Sequence, residues 1–433
     1  MSYAIVQLEV TAPLPTIALT PDQTGVALIV RQRDRLVGRI LKAVSTPCTL
    51  TPDQIKGWIA EAIAPKLLQE SIREELLSTL PDSTPDYPSF TVAICTKDRP
   101  DNVARLLRSL IPLQQETGPT PFEILIVDNA PSDDRTQAIV APFPSVRYTR
   151  EPKAGLDFAR NCALHQASGE WLAFLDDDVV VDRQWFRGWR EAWAENPDAA
   201  AFTGLVLPYE METAAQILFE QRGGFGRGFE KIRYGAQLPG NPLYPCGAGI
   251  FGAGCNMAFK RQVFIDLGGF DDAPDTGRPL PGGGDLDSFY RVVRAGYPLV
   301  YEPQYAVYHQ HRRELHQLQH QYWTWGLGFM AFVVKSMQTD PERRSHLIRL
   351  IFWWIQDQLG QLGQSLIGTH VLPPAMILAE IWGGMVGLCG EYGRSQRRVE
   401  AIRQHHHQSQ MLSPSDAQPV PAPERQAVGR SQG

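Results

Sequence analysis

Three short apolar segments, each followed at once by polar residues, constrain the fold of this chain more than any other feature. The segments are FTVAIC, FEILIV and WLAFL, at residues 90–95, 122–127 and 171–175. Helix-like stretches separate them, which predicts βαβ units around a mainly parallel sheet with ligands beyond the carboxyl ends of the strands. We therefore expect the polar clusters that follow the strands to border one crevice. These clusters are Thr96 to Arg99, Asp128-Asn129 and Asp176 to Asp178.

The triple aspartate at Asp176, Asp177 and Asp178 is the sharpest of these clusters. Carboxylates at the end of a buried strand repel one another and lose hydration, which is normally tolerated only when a hard cation lies between them. Mg²⁺ or Mn²⁺ with diphosphate oxygens would neutralise the cluster. The alternative is an acidic surface turn, although the apolar run directly before the cluster disfavours it.

Two further segments suit a nucleoside diphosphate. Asp128 follows a buried run and can accept hydrogen bonds from a ribose or base, as acidic residues do in nucleotide-binding sheets; taken alone, it fits a helix N-cap better. In KAGLDFARN, residues 153–161, Gly155 opens a helix and Arg160 follows about one turn later. Backbone N–H groups at a helix start, with an arginine beside them, form a site for a diphosphate.

The segment PGGGDLD, residues 281–287, predicts a loop that approaches a ligand closely, because three consecutive glycines cost much backbone entropy. Asp285 lies where this loop meets a predicted helix and is a candidate general base for an acceptor hydroxyl. Asp287 follows two residues later. Both aspartates could instead be helix caps.

His309 and His311 follow the strand-like run YEPQYAVYH, residues 301–309, so these alternate residues would project to one face. Their imidazoles could complete a metal shell or bind phosphate. A solvated basic edge beside Arg312 and Arg313 is an equal alternative, since two histidines are too few for a zinc site.

In chain order these motifs resemble those of the family 2 glycosyltransferases with the GT-A fold, over about residues 89–335. The resemblance implies a Rossmann-like mixed sheet flanked by helices, the nucleotide-diphospho-sugar transferase fold. It also implies sugar transfer from a nucleotide-diphosphate donor to a hydroxyl acceptor with inversion at the anomeric carbon. The matching stretches are TVAICTKDRP, ILIVDNAP, KAGLDFARN, GEWLAFLDDDVVVD, GAGCNMAFKR, LGGFDD, GGGDLDSFYRVVRAGY and LVYEP.

The same resemblance implies roles for single residues. The three aspartates occupy the family's DxD site, in which Asp176 and Asp178 would bind Mg²⁺ or Mn²⁺. Asp285 would take the acceptor proton; the family usually has a Glu-Asp pair where this chain has Gly284-Asp285, so Asp287 is the alternative base. The nucleotide and diphosphate would be bordered by Thr96, Asp98, Arg99, Asp128, Gly155 and Arg160.

The amino-acid composition limits which binding partners we expect. The net charge of −6 gives no basic footprint, so nucleic acid is not an expected partner. Six scattered cysteines and an amino terminus without a signal-peptide pattern indicate a cytoplasmic protein with reduced thiols, working in the cytoplasm or at the inner face of the cytoplasmic membrane.

Two other functions stay open. A sugar nucleotidyltransferase would need a glycine-rich amino-terminal signature, and a non-catalytic sugar-nucleotide or glycan-binding module would not need Asp285.

The chain divides into five predicted parts. The helical region carries apolar runs at 322–334 and 371–390 that are too short or too interrupted to span a bilayer, so peripheral membrane contact is favoured, which suits a glycan or lipid-linked acceptor. The parts are an α+β extension at 1–80, a proline- and acid-rich linker at 81–88, the catalytic domain at 89–315, the helical region at 316–403 and a disordered tail at 404–433.

Overall fold

The computed structural model describes residues 2–45, 48–78, 86–116 and 122–412. A central mixed sheet flanked by helices follows a small α+β unit and precedes a helical region. The predicted fold class is therefore confirmed. Most of the predicted linker, residues 81–85, lies outside the described residues, as does the chain beyond residue 412.

The amino-terminal unit pairs a three-stranded sheet with one long helix. The helix begins where the sequence predicts it, because Thr51 and Gln54 exchange hydrogen bonds as a capping box. Val26, Leu28 and Val30 point from the central strand into a core shared with Ile55 of the helix. The elements are β1 Ser2–Glu9, β2 Ile17–Leu19, β3 Gln23–Gln32, β4 Arg35–Ala43, β5 Cys48–Leu50 and α1 Pro52–Ser78.

Among the described residues the central sheet has nine strands, and the three strands predicted from the apolar runs lie side by side within it. The order is β10-β14-β11-β13-β9-β6-β7-β8, with β12 paired to β14, and β9, β6, β7 and β8 are parallel. Their carboxyl ends therefore meet at one edge. The strands are β6 Phe90–Thr96, β7 Glu123–Asn129, β8 Val146–Glu151, β9 Trp171–Asp176, β10 Val179–Val181, β11 Ala201–Pro208, β12 Ile232–Tyr234, β13 Asn256–Lys260 and β14 Leu299–His309.

Helices on both faces fix the strand ends in place. Aromatic side chains contribute to this packing, since the ring of Trp185 meets Phe90 edge-on and the ring of Trp189 meets it at a tilt. The strand ends are thus held by a rigid core rather than by loops. The helices are α2 Pro100–Glu116, α3 Arg135–Val140, α4 Leu156–Gln166, α5 Trp185–Glu195, α6 Ala214–Gln221, α7 Arg261–Asp266 and α8 Gly284–Arg294.

Four further helices form the carboxyl-terminal region. The two closest, α9 and α11, touch through glycine: the position of a Cβ on Gly326 would be 2.0 Å from the Glu380 carbonyl oxygen. Among the described residues, every helix is too short or too polar to cross a bilayer. The helices are α9 Leu315–Thr339, α10 Arg344–Leu366, α11 Pro374–Val386 and α12 Tyr392–Leu412, with a π-helical turn at Gly387–Glu391 before α12.

Helix α12 continues through Leu412, past residue 404, where the sequence predicts the start of a disordered tail. The sequence of α12 is polar enough to suggest disorder, yet residues on one side of the helix contact the rest of the protein. Tyr392 donates a hydrogen bond to Asp271, 2.7 Å away, and the Ser395 hydroxyl donates to the Ala273 carbonyl. Tertiary contacts thus support a helix whose composition alone would not.

Candidate active site

The aspartate cluster lies where the sequence places it, at the carboxyl end of β9. Its three side chains differ in environment. Asp177 is buried, with Thr96 Oγ1 donating to it at 2.7 Å and Arg99 Nη1 at 3.0 Å, so it ties the end of β6 to the cluster. The Asp176 side chain is 39% exposed and remains open to a ligand.

Asp128 pairs in register with Thr96 on the neighbouring strand. It is fully buried, Tyr148 donates to its Oδ2 at 2.7 Å, and its Oδ1 has no hydrogen-bond partner among the described residues. Burial raises the pKa of Asp128 above its ordinary value. Asp98 does different work: it accepts a hydrogen bond from the Ser132 backbone, which lowers the pKa of Asp98 and orders the loop after β7.

Gly155 caps α4 with a φ of +153°, and its N–H donates to Asn129 Oδ1 at 2.9 Å. Arg160, one turn later, does not face an open anion site as predicted. Only 5% exposed, it lies 3.0 Å from Asp157, and its other nitrogen lies 3.8 Å from Asp176 Oδ1. Burial opposes its charge, but the surrounding carboxylates raise the pKa of Arg160. The geometry makes Arg160 a positioning group for Asp176.

Two acidic residues that the sequence did not single out, Asp157 and Asp275, complete the group of carboxylates around Arg160. Burial raises the pKa of both carboxyl groups. They also explain the missing glutamate at position 284. Gly284 N–H donates to Asp275 Oδ2 at 3.0 Å, and a Cβ there would lie 2.4 Å from Asp157 Oδ2 and 2.6 Å from Asp275 Oδ2. Two carboxylates from elsewhere in the chain occupy the space beside Gly284.

We expect Gly284→Ala to lower the free energy of unfolding by about 1–3 kcal/mol, because its methyl group would overlap both carboxylates. Gly360→Ala is the matched control. Gly360 also lies in a helix, but no atom is within 4 Å of its Cβ position, so alanine there should stabilise the protein by about 0.5–1 kcal/mol. Urea unfolding of both variants checks the prediction. Equal effects of the two substitutions would contradict it.

Asp285 and Asp287 lie in different environments. Asp285 lies in the first turn of α8, partly exposed, where its Oδ2 accepts from Gly254 N–H at 3.1 Å. Asp287 is 2% exposed and bound by Lys335 Nζ at 2.6 Å and Arg291 Nε at 2.8 Å. These contacts enclose Asp287, whereas Asp285 is accessible to an acceptor hydroxyl. Asp285 is therefore the better placed of the two predicted bases.

The rings of the two histidines lie side by side, with centroids 5.1 Å apart, but their Nε2 atoms meet different carboxylates. Val179 pairs with His309 across β10 and β14, which brings His309 Nε2 to 3.3 Å from Asp178 Oδ1. His311 lies behind it, with its Nδ1 3.0 Å from His309 Nδ1 and its Nε2 2.7 Å from Glu220 Oε1. The ring nitrogens of His311 contact His309 and Glu220 rather than the aspartates, so its predicted role as a metal ligand gains no support from this geometry.

The hydrogen bonds behind His309 orient its ring. Burial lowers the pKa of His311 well below its usual range, so this ring is neutral and has one N–H. That N–H is the Nε2 hydrogen donated to Glu220, which leaves Nδ1 of His311 as an acceptor. His309 Nδ1 then donates to it, and His309 Nε2 is turned toward Asp178.

His309 Nε2 lies 3.3 Å from Asp178 Oδ1. Burial opposes the charge of Asp178, but the neighbouring His309 lowers the pKa of this carboxyl. With a neutral His309, the ring nitrogen and the carboxylate oxygen are both available to one cation. In the described part of the chain, no three histidine, cysteine or acidic side chains already converge as a complete metal shell. Asp178 and His309, with Asp176 nearby, suit an ion such as Mg²⁺ or Mn²⁺ that takes its other ligands from phosphate and water.

Successive side-chain contacts lead from Asp178 through His309 and His311 to Glu220. They end in the amino-terminal unit, where Arg39 of β4 forms an ion pair with the fully buried Glu220. Arg39→Met should therefore lower the free energy of unfolding by about 2–4 kcal/mol and weaken Mn²⁺ binding about 10- to 100-fold, since it frees the group that orients His311. Electron paramagnetic resonance of Mn²⁺ in the presence of UDP or GDP measures the affinity.

Arg35→Met is the control for that prediction. Arg35 lies on the same strand and forms comparable ion pairs with Glu191 and Glu70, but these do not lead to the aspartates. It should cost stability and leave Mn²⁺ affinity unchanged. Equal Mn²⁺ affinities in the two folded variants would show that the contact with Glu220 has no influence on the site.

An α/β fold thus carries, at the ends of its parallel strands, aspartates that could hold a cation and the partly exposed carboxylate of Asp285. Residues 91–268 match the family model described as glycosyl transferase family 2. This segment is therefore similar to a family 2 glycosyltransferase domain, and the protein is a glycosyl transfer enzyme with a mixed sheet flanked by helices. Asp285 and His309 lie beyond the matched segment.

Named relatives agree with this class. A glucosyl-dolichyl phosphate glucuronosyltransferase of Haloferax volcanii is 23% identical over 68% of this chain and 95% of its own length. The succinoglycan biosynthesis protein ExoM of Rhizobium meliloti is 27% identical over 49% of this chain and 64% of its own. Among solved structures, a mannosyltransferase from Pyrobaculum calidifontis in complex with GDP-Man and Mn²⁺ has a TM-score of 0.44 at 18% identity, covering 77% of this chain and 91% of that one.

Proposed function

We propose that the enzyme transfers a sugar from a nucleotide-diphosphate donor to a hydroxyl acceptor with inversion at the anomeric carbon. The observation that carries the proposal is the contrast between Asp285 and its neighbours. Asp285 is the accessible carboxylate at the start of α8, whereas Asp157 and Asp287 are enclosed. A single base on the acceptor side suits direct displacement, and a single displacement inverts configuration.

In this proposal the residues divide the work between the two sides of the anomeric carbon. Asp285 accepts the proton of the acceptor hydroxyl as the new glycosidic bond forms. Asp176, Asp178 and His309 would hold Mg²⁺ or Mn²⁺, which when bound neutralises charge on the departing nucleoside diphosphate. Arg99, whose side chain is 50% exposed while bound to Asp177, is placed to contact the same diphosphate. Asp128 is the candidate contact to the base or ribose.

We infer the acceptor class from the printed names of the relatives, one a dolichyl phosphate enzyme and one a succinoglycan biosynthesis protein. The proposed acceptor is a glycan or a lipid-linked sugar used in cell-envelope polysaccharide or another glycoconjugate. Work at the inner face of the cytoplasmic membrane fits such an acceptor. A non-catalytic sugar-nucleotide-binding module is the second candidate, and it leaves the isolated, accessible Asp285 without a purpose.

The test is release of nucleoside diphosphate from a panel of nucleotide sugars with Mn²⁺ or Mg²⁺, with and without EDTA. We expect release from one donor that EDTA abolishes and that rises when acceptor is added. Donor binding without release under every acceptor condition would support the binding module. Release of pyrophosphate from a nucleoside triphosphate and a sugar phosphate would instead identify a nucleotidyltransferase.

A further inference from the structure

Helix α10 carries two apolar stripes, of which only one is used by the fold. The buried stripe, which includes Leu347, Leu350 and Trp354, packs toward the rest of the protein. A second stripe follows at spacings of four, three, four and seven residues, which places its members along one side of a helix. Its members are 39–69% exposed and comprise Ile348, Phe352, Ile355, Leu359 and Leu366.

Helix α11 carries a matching exposed stripe of Leu378, Trp382 and Met385, which are 50–59% exposed. The two helices run antiparallel, since Trp354 packs on Gly384 near one end and Gln358 bonds Glu380 farther along. At 100° per residue, these contacts turn both exposed stripes to the same side of the pair, away from α9. We call this surface the hairpin face. Ile367 and Val371 extend it over the connecting turn, with exposures of 74% and 47%.

The hairpin face is almost free of charge. Between residues 350 and 389 the only acidic or basic residues besides a histidine are Asp357 and Glu380. Glu380 points inward to Gln358, and burial raises the pKa of its carboxyl to about 7, while Asp357 bonds Gln361 on its own helix. An uncharged exposed surface two helices wide is more than a soluble monomer usually presents.

Positive charge gathers at one end of the hairpin. The start of α10 and the chain beyond α11 lie at the same end because the helices are antiparallel. Residues 341–412 contain seven arginines against five acidic residues, although the whole chain has a net charge of −6. The arginines that flank the hairpin in the sequence on this side are Arg343, Arg344, Arg349, Arg397 and Arg398, together with Arg394, which forms an ion pair with Glu391.

We propose that the hairpin face docks on an anionic lipid bilayer, with its apolar stripes among the acyl chains and its arginines at the head groups. A second copy of the chain fits the face less well. A parallel pairing would bring two arginine clusters together, and an antiparallel pairing would lay each cluster over the uncharged turn of its partner. A bilayer interface accommodates both ends of the hairpin. The inference concerns attachment alone, so it stands or falls independently of the proposed reaction.

The test is co-sedimentation of the full chain with phosphatidylcholine vesicles, with and without phosphatidylglycerol. The wild type should bind the anionic vesicles, and the double variant Phe352→Gln, Leu359→Gln should bind at least about 10-fold more weakly. Trp353→Gln is the matched control. Trp353 is 53% exposed on the same helix but turned away from the hairpin face, so its loss should leave binding unchanged.

Circular dichroism melting would establish that all three proteins are folded, and light scattering without vesicles would report their mass. Absence of vesicle binding by the folded wild type overturns the proposal. So does equal binding by the double variant and the control. A wild-type dimer that the double variant abolishes, without vesicle binding, would assign the face to a second copy. Nucleoside diphosphate release in the absence of lipid tests the reaction separately.

Discussion

Replacing Asp285 with asparagine is expected to reduce metal-dependent turnover by about 10²- to 10⁴-fold while donor binding stays within a few-fold of wild type. The reason is that asparagine keeps the shape and can still accept from Gly254 N–H, but it cannot take the acceptor proton. Initial rates of nucleoside diphosphate release at saturating donor give the turnover, and titration calorimetry with the donor gives the affinity.

Asp287→Asn is the control, because the two aspartates stand two residues apart on one helix in opposite environments. Asp287 is buried against Lys335 and Arg291, so its loss leaves uncompensated charge and should lower the free energy of unfolding by about 3–5 kcal/mol. The folded fraction should turn over within a few-fold of wild type. A catalytic collapse in Asp287→Asn together with an active Asp285→Asn would reverse the assignment of the base.

The second large effect is expected at the cation site. Asp178→Asn should weaken Mn²⁺ binding by about 100-fold or more and remove the activation of turnover by metal, because it removes the carboxylate charge that lies 3.3 Å from His309 Nε2 at the proposed cation site. Asp177→Asn provides the comparison. Its carboxylate is engaged by Thr96 and Arg99, so its loss should disturb the strand ends and change Mn²⁺ affinity much less.

Mn²⁺ titrations followed by electron paramagnetic resonance, with UDP and GDP tested in turn, measure both variants directly. The metal site would be misassigned if Asp178→Asn bound Mn²⁺ as tightly as the wild type. It would also be misassigned if Asp177→Asn showed the greater loss.

The sequence predicted the parts of the site that depend on local pattern. Apolar runs identified the parallel strands, and parallel strands end at one edge, so Thr96, Asp128 and the three aspartates had to meet. The capping box before α1 and the glycines before α8 worked in the same way. Each of these features lies within a few residues of the element that it defines.

The features that were missed depend on residues far apart in the chain. Arg160 is withdrawn from the open cleft by Asp275, which is 115 residues away, and Asp287 is bound by Lys335 from α9. Arg39 meets Glu220 across the boundary of the amino-terminal unit. No spacing rule encodes these contacts, since they depend on how whole elements pack. Gly284 is the clearest example. The glutamate that the family usually has at this position is absent here, and the reason appears only in the structure, where Asp157 and Asp275 surround Gly284.

The measurement that tests the central claim most directly is the anomeric configuration of the product. Proton NMR of the glycoside formed from the donor that the panel identifies gives the configuration from the coupling of the anomeric hydrogen. The account predicts the configuration opposite to that of the donor, because Asp285 is a single base that serves a single displacement. A product that retains the donor configuration would contradict it, and would require either a second displacement or a different geometry at the anomeric carbon.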